Sequence, residues 1–244
     1  MIVGQIHKGS GLGNQLFRYV MTRVLARDLN TDFGFEGVEN FKASFFLNLD
    51  MGQTPEWTID FVEQRIDNKD GVDIRGYDKR IKSIKDGTRV DGEFQAEKYW
   101  QHRKDEIKEW LKVLPCEVPK NGCIINFRGG EYKNHPDLFL TQDYWDKAIA
   151  EMEKEVLNVL FHVVTDDPEE ASKFFPKFEI THDMELDYRL IQSANYLILS
   201  NSSFAIWPAQ LGTAELIIAP KYWARRNKGF WALPQNKYKG WRYV

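Results

Sequence analysis

"IINFRGGEYKN", residues 124–134, begins as a buried strand and ends as a buried strand should not. Two isoleucines, an asparagine and a phenylalanine lead to Arg128, then to Gly129, Gly130 and Glu131. A short apolar run closing on a bare, charged turn is the pattern of an interior strand of a parallel sheet, and ligands of such sheets sit at the carboxyl ends of the strands. A guanidinium placed there offers a rigid fork of donors suited to phosphate oxygens, and the glycines beside it let a ligand approach the main chain. A structural ion pair with an acid on a neighbouring loop accounts for Arg128 equally well, so the residue alone leaves both readings open.

The chain around this stretch alternates strands and helices. Downstream, residues 141–154 have the spacing of a helix opened by a capping threonine, and residues 157–164 that of a strand ending at Asp166 and Asp167. Pro168 starts a short helix, 185–193 forms another, 196–199 is a strand running into "SNSSF", and 216–219 is a last strand. Upstream, residues 2–6 read as a strand, 9–13 as a glycine-rich turn, and 15–29 as a helix. The region 41–101 is less regular, with strand candidates over 72–75 and 90–94; a helix over 104–113 follows, stopped by Pro115. The segment "PCEVPKNG", 115–122, is the best boundary, dividing an N-terminal half, 1–118, from a C-terminal half, 119–244. The expected fold is α/β, two Rossmann-like halves with mostly parallel sheets, the N-terminal half reduced because 244 residues are few for two full ones.

Composition narrows the partners. With 43% hydrophobic and 14% aromatic residues the chain can bury a large core. Its 33 basic and 36 acidic side chains give a net charge of −3, which provides no broad attraction to nucleic acid or to an anionic bilayer, so any anion site is local. Cys116 and Cys123 are the only cysteines, too few for a disulfide scaffold, and the expected setting is the cytoplasm. No apolar run approaches the roughly 20 residues of a membrane span, though work beside a membrane is compatible with this.

The remaining polar residues at strand ends have double readings. Ser202 and Ser203 stand at a strand-to-helix junction where hydroxyls and free N–H groups suit an anion, but an N-cap also explains a serine there. Asp167 suits the cap of the helix at Pro168, while Asp166 stays open to a ribose or a divalent cation. Phe204 either stacks on a base or fills the core. The glycines of "GSGLGNQLF" fall at 9, 11 and 13, which is not the G-x-G-x-x-G spacing, and Glu36 is the only acid near the next strand end; as a dinucleotide signature it is poor.

Taken in order, "GLGNQLFRYV", "GEFQAEKYW", "INFRGGEY", "VVTDDP" and "DYRLIQSANYLILSNSSFAIWPAQL" resemble the alpha-1,2-fucosyltransferases of glycosyltransferase family 11 and, more distantly, the alpha-1,6- and protein O-fucosyltransferases. The resemblance covers residues 4–212. It implies a GT-B-like architecture, with 1–118 the acceptor-side half and 119–244 the nucleotide-sugar-binding half, and transfer of fucose from GDP-fucose to a glycan hydroxyl, with inversion and with no required metal. The family pattern His-x-Arg-Arg-Gly-Asp-Tyr falls on 126–132: Arg128 matches the arginine on the donor's β-phosphate, while Asn126 replaces the histidine near guanine, Gly129 the second arginine and Glu131 the aspartate. Asp187 matches the acid that reads guanine or ribose, Ser202 and Ser203 the hydroxyls on the phosphate side, and Asn14 the amide of the first turn, which in such enzymes faces the donor.

Glu131 is the first choice for the base that takes the acceptor's proton, ahead of His135 and Asp137. Because three positions of the pattern differ, two alternatives stand: a transferase of another nucleotide sugar, and a non-catalytic nucleotide- or glycan-binding protein whose eight tryptophans form a stacking surface.

Overall fold

A computed structural model describes residues 1–67, 74–221 and 237–244, with the side chains of 65–67 and 74–75 left aside. The chain forms two compact units that divide between Lys112 and Val113, with Tyr238 returning to the first and Lys239–Val244 to the second.

The first unit is built on four parallel strands: β1 (Ile2–Gln5), β2 (Phe33–Glu36), β3 (Ile59–Val62) and, after a small antiparallel pair β4 (Arg65–Asp67) and β5 (Ile74–Arg75), β6 (Thr88–Asp91). Their order is β2-β1-β6-β3. Helix α1 (Leu12–Leu29) connects β1 to β2; α2 (Lys104–Trp110) closes the unit. α1 starts three residues earlier than its apolar spacing suggests, and Asn30 ends it in the left-handed conformation that satisfies the last carbonyls. The helix is buried on most sides, with Leu16, Phe17, Tyr19, Val20 and Val24 fully enclosed, so its periodicity is blurred. Of the strand expected over 72–75, residues 72 and 73 lie outside the described residues.

The second unit is a six-stranded parallel sheet made of β7 (Gly122–Phe127), β8 (Leu160–Thr165), β9 (Glu179–Thr181), β10 (Tyr196–Leu199), β11 (Leu216–Ala219) and β12 (Arg242–Tyr243). The order is β12-β11-β10-β7-β8-β9, with every neighbouring pair parallel. Counted within the unit, this is the doubly wound order 3-2-1-4-5-6, whose direction of winding reverses between β7 and β10. The alternation of β7 explains the layers. Cys123, Ile125 and Phe127 face α3 (Gln142–Glu155) and α4 (Pro168–Phe174), packing on Trp145, Ala148, Met152 and Phe175. Ile124, with Leu197 and Leu199 of β10, faces α5 (Met184–Ser193) and α6 (Ile206–Leu211) through Ile191, Ala205 and Ala209. Both faces of the sheet are covered, as a parallel sheet requires.

Several local expectations change. Thr141 stands at the N-cap of α3, but its hydroxyl makes no capping bond. Asp167 does cap α4, accepting from the Glu170 N–H at 3.1 Å. The boundary segment belongs to the second unit: Arg189 Nε donates to the Leu114 carbonyl at 2.8 Å, and the Cys116 N–H to Ser193 Oγ at 2.9 Å. Both cysteines are free thiols. Trp100, Trp145 and Trp207 are fully buried and fill cores rather than a stacking surface. Among the described residues no helix is long and apolar enough to cross a membrane.

Candidate functional site

β7 and β10 pair with Asn126 opposite Leu199, so Arg128 and the Ser200–Ser203 turn emerge side by side from the two strands that flank the reversal of the sheet. This is the position at which doubly wound sheets hold ligands. Arg128 is one-quarter exposed and ion-paired: one terminal nitrogen contacts Asp166, and the other donates to Glu131 Oε1 at 2.5 Å. Its guanidinium also lies over the Tyr132 ring, 5.1 Å from the centroid. The ion pair of the two sequence readings is present, and it sits at the carboxyl end of the sheet.

Asp166 holds the turn itself. Its Oδ1 accepts from the Gly129 N–H at 2.9 Å while Oδ2 meets Arg128. Gly130 has φ +33°, and a Cβ there would run into that same carboxylate, which explains why glycine follows the arginine. Gly129 is constrained differently: a Cβ would lie 2.6 Å from Cβ of Asp167. The helix cap thus occupies the room that a second arginine of the family pattern needs. Asp167 also pairs with Lys133 at 2.7 Å, and that ammonium holds its carboxyl below the usual range.

Asn126 and Ser200 are buried at the strand ends, and Ser200 Oγ donates to Asn126 Oδ1 at 2.9 Å. Ser202 is buried and makes no side-chain cap; Ser203 begins a single 3-10 turn, Ser203–Ala205, rather than the regular helix expected, and α6 after it contains Pro208. Phe204 stands edge-on to Tyr188 at 6.1 Å and packs on the α5–α6 core, the core role of its two readings. Asp187 is buried near the amino end of α5, where Thr181 Oγ1 donates to Oδ1 at 2.7 Å and the Asp183 N–H to Oδ2 at 3.3 Å. Burial pushes its carboxyl up to about 6, against those two hydrogen bonds. Glu131 is exposed; although burial raises its carboxyl, its own N–H and Arg128 outweigh this and hold it below the ordinary range. Among the described residues no three His, Cys, Asp or Glu side chains gather to hold a metal ion.

The chain is similar to two glycosyltransferases of Escherichia coli. It is 24% identical to an alpha-1,2-colitosyltransferase over 267 aligned positions, covering 89% of this chain and 91% of that one. It is 26% identical to the O-antigen biosynthesis glycosyltransferase WbnK over 138 positions, covering 50% of this chain and 45% of that one. A crystal structure of NodZ alpha-1,6-fucosyltransferase soaked with GDP-fucose aligns with a TM-score of 0.44 at 11% identity, over 86% of this chain and 92% of that one. No protein-family profile matches the chain.

The first unit has a polar cluster of its own, which the sequence reading reached only through Asn14. It lies at the carboxyl ends of β1 and β6, which are adjacent and parallel in that sheet. Arg18 of α1 is buried; its Nε donates to the Gly92 carbonyl at 3.0 Å, and its terminal nitrogens to Ser10 Oγ and Glu93 Oε1 at 3.1 Å each. Asp91 lies 3.7 Å from the same guanidinium and 2.9 Å from Nε2 of His7. Asn14 accepts from Gln95 at 3.3 Å, whereas its neighbour Gln15 is a buried bracket that donates to the Asn40 carbonyl and accepts from the Lys42 N–H. The 93–95 segment is held from below by buried Glu63, whose Oε2 accepts from the N–H groups of Glu93 and Phe94 at 2.7 and 3.1 Å. The signal available in the sequence was a histidine just past the first strand and an acid closing another, neither of which belongs to a named motif.

Proposed function

We propose that the protein is an inverting glycosyltransferase that moves a deoxy sugar, fucose in the first instance, from a GDP-sugar to a glycan hydroxyl. The observation that carries this reading is Arg128 standing beside the Ser200–Ser203 turn at the reversal point of a doubly wound sheet. Similarity to an alpha-1,2-colitosyltransferase over 91% of its length supports it. As the bond from the anomeric carbon to the leaving phosphate lengthens, negative charge grows on that oxygen and the sugar gains oxocarbenium character. Fixed donors aimed at the oxygen lower the barrier, and Arg128 with the Ser203 hydroxyl provides them. Asn126 and Asp187 are assigned to the base and ribose.

In the free protein the Arg128 charge is matched by two carboxylates with different roles. Asp166 also anchors the Gly129 N–H, so it remains when a diphosphate arrives; exposed Glu131, whose further hydrogen bond is with its own N–H, is the partner that gives way. The relative's donor sugar favours a second reading in which colitose replaces fucose. Calorimetric titration of GDP-fucose, the colitose donor, GDP-mannose and a UDP-sugar, with GDP release measured for each, tests both. Binding of none of them refutes the assignment.

A further inference from the structure

The reversal of the second sheet carries a buried amide with one side unused. Asn126 pairs with Val164 of β8 and Leu199 of β10, and Val164 pairs in turn with Thr181 of β9, so the four stand in one row near the carboxyl ends of their strands. Side chains alternate along a strand, and Ile124 faces α5 and α6, so Asn126 does too. Val164 and Leu199 lie on that face, and the Thr181 hydroxyl reaches Asp187 of α5 at 2.7 Å. Asn126 and Thr181 are two strand spacings apart, about 10 Å between Cα atoms. The Asp187 carboxylate and the Asn126 amide therefore share one face of the sheet at its ligand-binding end.

Ser200 decides what this amide offers. The two residues are tied twice: the Ser200 N–H donates to the Asn126 carbonyl at 3.0 Å, and Ser200 Oγ donates to Asn126 Oδ1 at 2.9 Å. With the amide oxygen taken, Nδ2 is turned the other way. Among the described residues it has no hydrogen-bond partner, although Asn126 is only 4% exposed. Buried amide nitrogens are ordinarily paired, so these donors call for an acceptor supplied by a ligand. Asp187 offers the opposite polarity. Its oxygens hold the Thr181 hydroxyl and the Asp183 N–H, and a carboxylate has about four lone-pair sites, so it can still accept from a ligand. A donor for a carbonyl and an acceptor for an N–H complement a lactam, the O=C–N–H edge of guanine; the amino group and bare ring nitrogen of adenine have the inverse polarity.

We propose that Ser200, by holding Asn126 Oδ1, makes the second unit selective for a nucleoside diphosphate with a lactam base. Asn126 Nδ2 donates to the carbonyl oxygen of the base, Asp187 accepts from its ring N–H, and Ser200 is the positioning residue. The proposal rests on the nucleotide-sugar reading above. In the opposite setting of the amide, Nδ2 would donate to Ser200, Oδ1 would face the ligand, and an amino base would be preferred.

The test is calorimetry of the full chain with GDP, inosine diphosphate, ADP and 6-thio-GDP. GDP and inosine diphosphate, which share the lactam, are expected to bind at least about 100-fold more tightly than ADP. The sulfur of 6-thio-GDP accepts poorly, so it should bind about 5- to 100-fold more weakly than GDP, and Asn126→Leu should bind the two alike. Ser200→Ala frees the amide to turn and should lower the preference for GDP over ADP by about 5- to 100-fold, while Ser200→Thr, which keeps the hydroxyl, retains it. A serine with a merely structural role would weaken all four nucleotides together and leave that preference unchanged, which overturns the positioning role. Wild type binding ADP as tightly as GDP, or 6-thio-GDP as tightly as GDP, overturns the inference and leaves glycosyl transfer standing. If Ser200→Ala does not fold, those two wild-type comparisons decide alone. A wild-type protein that binds none of the four overturns the nucleotide-sugar reading, and this proposal with it.

Discussion

One carboxylate, Asp166, binds both the Gly129 N–H and the Arg128 guanidinium, so a single side chain from the end of β8 sets the turn after β7 and the direction of its fork. A doubly wound sheet commonly uses the acid after its second strand to read a ribose. Here that acid is committed to the arginine. On the proposed reading, recognition of the nucleoside then falls to groups further along the sheet edge, and the diphosphate relies on Arg128.

The Arg128→Ala variant should bind GDP-fucose weakly and lose about 100- to 1000-fold in GDP release, the range for removing a preorganised donor to a developing oxyanion, about 2.7–4 kcal/mol of barrier. Because the side chain is partly exposed and its pairs are at the surface, the unfolding midpoint in urea should scarcely move. Arg128→Lys should restore affinity more than rate, since an ammonium lacks the planar fork. Wild-type turnover in the alanine variant would remove Arg128 from the chemistry.

Gly129→Ala should cost about 1–3 kcal/mol of stability by overpacking against Asp167. The double variant Gly129→Ala with Asp167→Gly should recover most of it, because the colliding Cβ is gone and glycine at an N-cap is only a few tenths of a kcal/mol poorer. Additive losses in a urea double-mutant cycle would show that the two residues do not compete for the same space.

The second unit was legible because its information is local. An interior strand such as Cys123–Phe127 is apolar on both faces, and its end is marked by charge and glycine, so β7, β10 and β11 could be read nearly to the residue. Edge strands carry no such mark. β9 and β12 are three and two residues long, and β3 leaves Ile59 and Val62 exposed, so neither alternation nor a hydrophobic run reveals them. The candidate site divides in the same way. Arg128 announces itself by interrupting an apolar strand, whereas His7 and Asp91 meet only after β1 and β6, 84 residues apart, are paired. What fixes each donor is also invisible in one dimension: nothing local shows that Glu63 holds the 93–94 turn, or that Asp167 fills the place of a second arginine.

Tyr99 tests the support of the first unit's loop. Its buried hydroxyl donates to Glu63 Oε1 at 2.8 Å and accepts from the Asp78 N–H at 2.7 Å, and burial pushes its phenol up. Tyr99→Phe keeps the ring against Phe94 but leaves a buried N–H and a carboxylate oxygen short of a partner, which should cost about 1–3 kcal/mol. Urea unfolding reads the loss directly. An unchanged midpoint would mean that this network does not bear on stability.

Asp187 gives the protein a pH dependence whose sign is opposite to that of a salt-bridged carboxylate. Burial raises its folded value to about 6 from the ordinary 3.8, so the native state holds the proton more tightly than the unfolded chain. Stability from this residue is therefore fully present below about pH 3.8 and is lost as pH rises through about 6, amounting to roughly 3 kcal/mol across that window. Asp187→Asn removes the titration while keeping an oxygen for the Thr181 hydroxyl. Its unfolding free energy minus that of wild type should therefore climb between pH 4 and pH 7 and level off above, the other groups cancelling in the difference. Two parallel curves over that range would place Asp187 in a more polar setting than its burial implies, and its ionised form would then be available to a nucleoside at every physiological pH.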